Sequence, residues 1–140
     1  MLRFKGFAAL AAAALLLAAC SGASATPSAQ ASVAGSTAPR VVQLEIGVGA
    51  ITPATVTVTR GETVTFEAKN VSTVEVEIII GLKTDVDADS GDSLKEAEHI
   101  APGATGTVTY TFDGDGPYAY GDQVGDHYAA GAKGDIVFGS

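Results

Sequence analysis

The sequence predicts an all-β domain over residues 41–140, built as an antiparallel sandwich of short strands. Polar and apolar residues alternate in several short runs, which is typical of strands with one buried face. Sequences rich in Gly, Pro and Asp separate these runs and favour turns, at residues 60–62, 102–103 and 113–117. About 100 residues suit one compact domain with a modest core.

Four of the predicted strands are defined by apolar residues that share a face. These faces are Val42, Leu44 and Ile46; Val64 and Phe66; Val74, Val76, Ile78 and Ile80; and Val108, Tyr110 and Phe112. Short strands are also predicted at residues 56–59, 118–120 and 135–138. Glu75 and Glu77 are predicted on the solvent face of their strand. One segment, residues 93–100, is predicted to be helical, because Ser93 and Glu96 have the spacing of a capping box.

The N-terminus has the organisation of a signal peptide, predicted for residues 1–19. Two basic residues precede an apolar run over residues 7–19, which is too short for a bilayer that needs about 20 residues. The run ends in Leu-Ala-Ala-Cys, which resembles the bacterial lipobox. That resemblance implies cleavage before Cys20, lipid attachment to its sulfur and anchoring to the outer face of a bacterial membrane. Residues 20–40 are then the lipidated cysteine and a flexible linker rich in Ser, Ala, Thr and Pro.

Charge and cysteine content narrow the class of protein. The chain has 16 acidic and 8 basic residues, a formal net charge of −8. We therefore expect no nucleic-acid partner, since no basic stripe is present. Cys20 is the only cysteine, so the chain forms no internal disulfide.

Several local patterns resemble the cupredoxins, the family of plastocyanin and azurin. Residues 51–58 and 61–66 are similar to the first hairpin of that family, and Asn70 is similar to the asparagine that precedes its first copper-binding histidine. Residues 118–134 resemble its copper loop. The resemblance implies a cupredoxin-like antiparallel Greek-key β-sandwich over residues 41–140, with one short helix or loop insertion.

The same resemblance places the four ligands of a type 1 copper site, which are two imidazoles, a thiolate and an axial thioether. One histidine is retained as His127. The other histidine falls at Val76, the cysteine at Asp122 and the methionine at Ala132. Valine and alanine cannot coordinate a metal, and a carboxylate lacks the charge-transfer character of a thiolate. The prediction is a non-enzymatic binding or structural module, with an unknown protein or small ligand as partner, in which type 1 copper has been lost.

Two metal-binding alternatives stay open beside an electron carrier of the family type. His127 and Asp122 would form a rebuilt copper or zinc site, or else a hydrogen-bonded pair that only holds the loop. Four residues, Asp85, Asp87, Asp89 and Glu96, have the spacing of an EF-hand calcium loop. Its required glycine is one position late, so a solvated acidic loop is the competing interpretation.

Overall fold

The computed structural model describes residues 38–140. The predictions for the signal peptide, for Cys20 and for nearly all of the linker lie outside these residues. No helix within residues 38–140 has the length and apolar character needed to cross a bilayer.

Nine strands and two short helices make up the described part of the chain. The strands are β1 (Arg40–Gly47), β2 (Ala50–Thr52), β3 (Thr55–Val58), β4 (Glu62–Asn70), β5 (Val76–Leu82), β6 (Lys95–Ile100), β7 (Thr105–Phe112), β8 (Tyr118–Gly121) and β9 (Lys133–Phe138). The helices are α1 (Lys83–Ala88), between β5 and β6, and α2 (His127–Ala130), between β8 and β9. One sheet has the order β2-β1-β4-β7 and the other β3-β9-β8-β5-β6, so the predicted β-sandwich is confirmed.

Most strand pairs are antiparallel, as predicted, and two are parallel. β1 pairs with β4 in parallel, and β3 pairs with β9 in parallel. The other pairs within residues 38–140 are antiparallel. Alternation along a strand reports which face is buried and carries no information on the direction of the neighbour, which is why the sequence did not reveal this.

The predicted helix over residues 93–100 is wrong. Ser93 Oγ does donate to Glu96 Oε2 at 2.7 Å, as the spacing suggested, but the chain then continues as strand β6. β6 pairs with β5 at the edge of the larger sheet, and these ladder hydrogen bonds outweigh the weak local signal. The helix of this region is α1, whose Val86 packs on Ile79 and Ala119 at the outer face of the sheet.

The core lies between the two sheets and is mostly aliphatic and aromatic. Phe66, Phe112 and Tyr120 are its largest buried side chains. The rings of Phe66 and Phe112 pack edge to face, with 6.2 Å between their centroids. The alternation of polar and apolar residues in β4 and β7 therefore reflects one face packed in the core, as predicted. Val74 departs from its predicted place, because it precedes β5 and is 44% exposed.

Candidate functional site

The four positions that the resemblance matched to copper ligands lie together at one end of the sandwich. Val76 begins β5, Asp122 follows β8, His127 begins α2 and Ala132 precedes β9. Backbone hydrogen bonds connect three of them, since Asp122 N donates to Ala132 O and Ala132 N donates to His127 O, each at 3.0 Å. The fourth position, Val76, precedes Glu77, whose backbone N–H donates to Asp122 Oδ1.

The chemistry at this end is a buried carboxylate bonded to an imidazole. Asp122 Oδ2 lies 2.7 Å from His127 Nδ1, with the carboxyl fully buried and the imidazole 13% exposed. Asp122 Oδ1 accepts the backbone N–H of Glu77 at 3.2 Å and that of Val124 at 3.0 Å. A carboxylate that carries no proton only accepts hydrogen bonds, so Nδ1 is then the donor in this contact.

A second carboxylate, Glu77, belongs to this site although the sequence placed it on a solvent face. Glu77 Oε1 accepts the backbone N–H of Gln123 at 3.0 Å, so the side chain lies against the loop after β8. Burial is the main cause that raises the Glu77 pKa, and the nearby Asp122 carboxylate raises it further. The loop that covers Glu77 is distant in sequence, and alternation in β5 gave no signal for it.

Tyr128, next to His127, connects the loop to α1. Its hydroxyl donates to Asp87 Oδ1 at 2.5 Å, and Lys133 Nζ lies 4.8 Å from the centre of its ring. Burial, together with the hydrogen bond to Asp87, raises the pKa of the Tyr128 hydroxyl. A phenol held in this way is a structural hydrogen-bond donor at neutral pH.

The structure does not bring the four candidate calcium ligands together. Asp85, Asp89 and Glu96 line a pocket of about 210 Å³ beside Glu77. Asp87 instead receives the hydroxyl of Tyr128 and lies 3.6 Å from Lys83 Nζ. The physical reason is that residues 83–88 form α1, whereas an EF-hand loop winds its ligands around one point. Between residues 38 and 140, no group of three or more His, Cys, Asp or Glu side chains is arranged to hold a metal ion.

Comparisons with known proteins agree with this fold. The chain is 31% identical over 94 residues to the copper-resistant cuproprotein CopI of Rubrivivax gelatinosus, a match that covers 61% of this chain. The match spans only 57% of that relative. Among solved structures, the reduced auracyanin of Roseiflexus castenholzii has a TM-score of 0.59 at 23% identity, covering 74% of this chain and all of the auracyanin.

Auracyanin A of Chloroflexus aurantiacus, a "blue" copper protein, has a TM-score of 0.61 at 22% identity. That match covers 72% of this chain and 99% of the auracyanin. At this level of identity the structural likeness supports the fold. The family model of the cupredoxin-like domain matches residues 8–137, which is most of the sequence. The chain therefore belongs to the cupredoxin-like family.

Proposed function

We propose that this protein is a lipid-anchored, extracytoplasmic cupredoxin-like module that binds a partner protein or small ligand without type 1 copper and without catalysis. The proposal is supported chiefly by the buried carboxylate of Asp122, at the position that the resemblance matches to the family's copper-binding thiolate. A blue copper centre depends on the bond between copper and that sulfur. The only cysteine of the chain, Cys20, is assigned to the lipid anchor.

The residues at the site do not fit a type 1 copper ion. Val76 and Ala132 are fully buried and offer no donor atom. His127 Nδ1 is engaged by Asp122 at 2.7 Å. Over residues 38–140, every buried side-chain nitrogen or oxygen has a hydrogen-bond partner, so the site holds no orphaned buried donor that a metal would satisfy.

Copper titration of the full-length protein tests this proposal. We expect Cu(II) to give no intense visible absorption band with the wild type or with Cys20→Ser, which removes the only cysteine. Auracyanin A, a "blue" copper protein, titrated under the same conditions is the positive control for the absorption band. An intense band from the Cys20→Ser protein would overturn the proposal.

The anchor has its own test. Expression in a bacterial host followed by mass spectrometry of the mature protein would show an N-terminal residue at position 20 carrying acyl chains. The Cys20→Ser protein would keep its signal peptide and would carry no acyl chains, so the membrane fraction would contain no acylated form. Mature protein that begins elsewhere and lacks lipid would contradict this part of the proposal.

A second candidate function is metal binding that does not involve type 1 copper, and the similarity to a copper-resistant cuproprotein favours it. His127 with Asp122 is the candidate site for copper or zinc, and the acidic pocket beside α1 is the candidate site for calcium. Calorimetric titration with Cu(II), Zn(II) and Ca(II) distinguishes these two candidate sites. Heat that disappears in His127→Gln assigns the first site, and heat that disappears in Asp89→Asn assigns the second. The absence of heat with all three ions would contradict metal binding and leave the binding module without a metal as the remaining proposal.

A further inference from the structure

We infer that the Asp122 carboxylate replaces the family's metal ion as the group that joins the loop after β8 to strand β5. This inference rests on the proposed loss of type 1 copper. In the family, ligands from the positions of Val76, Asp122, His127 and Ala132 would meet at one ion, so the ion connects β5 to the loop. In this chain the same connection runs through hydrogen bonds to one buried side chain.

Three donors from three segments converge on Asp122. The backbone N–H of Glu77 comes from β5, at 3.2 Å from Oδ1. The backbone N–H of Val124 comes from the loop, at 3.0 Å from the same oxygen, and His127 of α2 reaches the other oxygen at 2.7 Å. A fully buried carboxylate is stable only with such partners, and hydrogen bonds to an ionised group are stronger than those between neutral groups.

The connection is reciprocal, which makes it specific for this register of loop and strand. The backbone N–H of Glu77 donates to Asp122 Oδ1, and the Glu77 side chain accepts the N–H of Gln123 at 3.0 Å. Each chain segment therefore supplies one backbone donor and one carboxylate acceptor to the other. The backbone bonds among Asp122, Ala132 and His127 then fix the return of the chain into β9.

An acid–base function explains these contacts less well. Among residues 38–140, no hydroxyl or thiol side chain is hydrogen-bonded to His127, so the pair has no nucleophile to activate. Both Asp122 oxygens are occupied, and the imidazole is mostly buried. The arrangement immobilises the loop and leaves little of the pair accessible to a substrate.

Hydrogen exchange of the full-length, metal-free protein in EDTA tests the inference residue by residue. In Asp122→Ala we expect the amides of Glu77 and Val124 to exchange about tenfold faster or more, because a charged acceptor is lost from each. The amide of Thr65, in the distant β4–β7 ladder, is the internal reference. Asp126→Ala is the matched control, because Asp126 is a neighbouring exposed carboxylate that makes no cap hydrogen bond with its side chain.

Asp122→Asn keeps the test decisive if the alanine variant does not fold. The amide oxygen still accepts from the two backbone donors while the charge is removed, so we expect a smaller acceleration at Glu77 and Val124 than in Asp122→Ala. Exchange rates of both amides within twofold of the wild type in Asp122→Ala, or in Asp122→Asn where the alanine variant does not fold, would overturn the inference. This readout contains no metal, so its failure is distinct from the appearance of a copper band, which would overturn the proposed function.

Discussion

Asn70 offers a test of how the candidate site is held at its end of the sandwich. It ends β4 with 1% of its surface exposed. Its Nδ2 donates to Val74 O at 2.7 Å and to Ile100 O at 2.8 Å, and its Oδ1 accepts from Ser72 N at 2.8 Å and Ser72 Oγ at 2.7 Å. One amide thus joins the end of β4, the segment that enters β5 and the end of β6.

The change Asn70→Ala removes all four hydrogen bonds. Each is worth about 0.5–1.5 kcal/mol net, and buried groups left without partners add to the cost. The Ser72 hydroxyl has one proton, which without the Asn70 amide is free to donate to Val74 O, 2.8 Å from Oγ; the exposed groups also regain water, and both effects lower the sum. We expect a loss of roughly 3–5 kcal/mol in the free energy of unfolding. Ser72→Ala, which removes one hydroxyl at the rim, should cost about 1 kcal/mol.

Urea unfolding followed by far-ultraviolet circular dichroism measures both variants against the wild type. The denaturant midpoint should fall for Asn70→Ala while the slope stays constant, which identifies a change in stability. A loss below about 1 kcal/mol, or one equal to that of Ser72→Ala, would refute the reasoning that this amide organises the end of the sandwich.

Two further predictions concern the loop and the opposite end of the domain. A Cβ at Gly121 would lie 2.5 Å from Cε2 of Tyr128, so Gly121→Ala should displace the ring, break its hydrogen bond and cost about 2–3 kcal/mol in urea unfolding. Gly47→Ala, where the nearest atom is 3.7 Å away, is the control and should change stability by less than about 1 kcal/mol. The Arg40 guanidinium, 2.5 Å from the Glu62 carboxyl, lowers the pKa of that carboxyl from 4.5 to about 2. Its stabilising effect is therefore present above the unfolded pKa and is lost as pH falls towards 2, so Arg40→Gln should flatten the pH dependence of stability in that window, and an unchanged profile would contradict this assignment.

The elements with strict alternation could be predicted from the sequence, and those fixed by distant contacts could not. β4 and β7 alternate over eight or more residues, so their buried faces were evident. β2 has three residues, too few for a periodic signal. β6 carries Lys95, Glu96 and Glu98, which suit an exposed edge but show no apolar alternation, and its strand character comes from pairing with β5.

The candidate site was predictable in part: the pair His127 and Asp122, with a hydrogen bond between them as one alternative, was expected, whereas Glu77 was not. Resemblance identified His127 and Asp122, and counting along the loop placed them at the same end of the sandwich. Counting did not identify Glu77, because its burial depends on how the loop after β8 folds over β5. The acidic segment shows the same limit: ligand spacing assumes a winding loop, whereas a helical turn directs Asp87 to Tyr128.

The two positions that the resemblance matched to ligands and that carry no donor atom lie in the apolar core. Val76 and Ala132 are fully buried and belong to the same apolar cluster as Phe66 and Tyr120. Restoring a histidine at Val76 would therefore place an imidazole in an apolar environment, where an unpartnered polar group is costly. A methionine at Ala132 would need volume that the packed cluster does not offer, and overpacking costs about 1–3 kcal/mol. On the proposed loss of type 1 copper, apolar packing is favoured at these positions, and the packed core then opposes the introduction of ligands there.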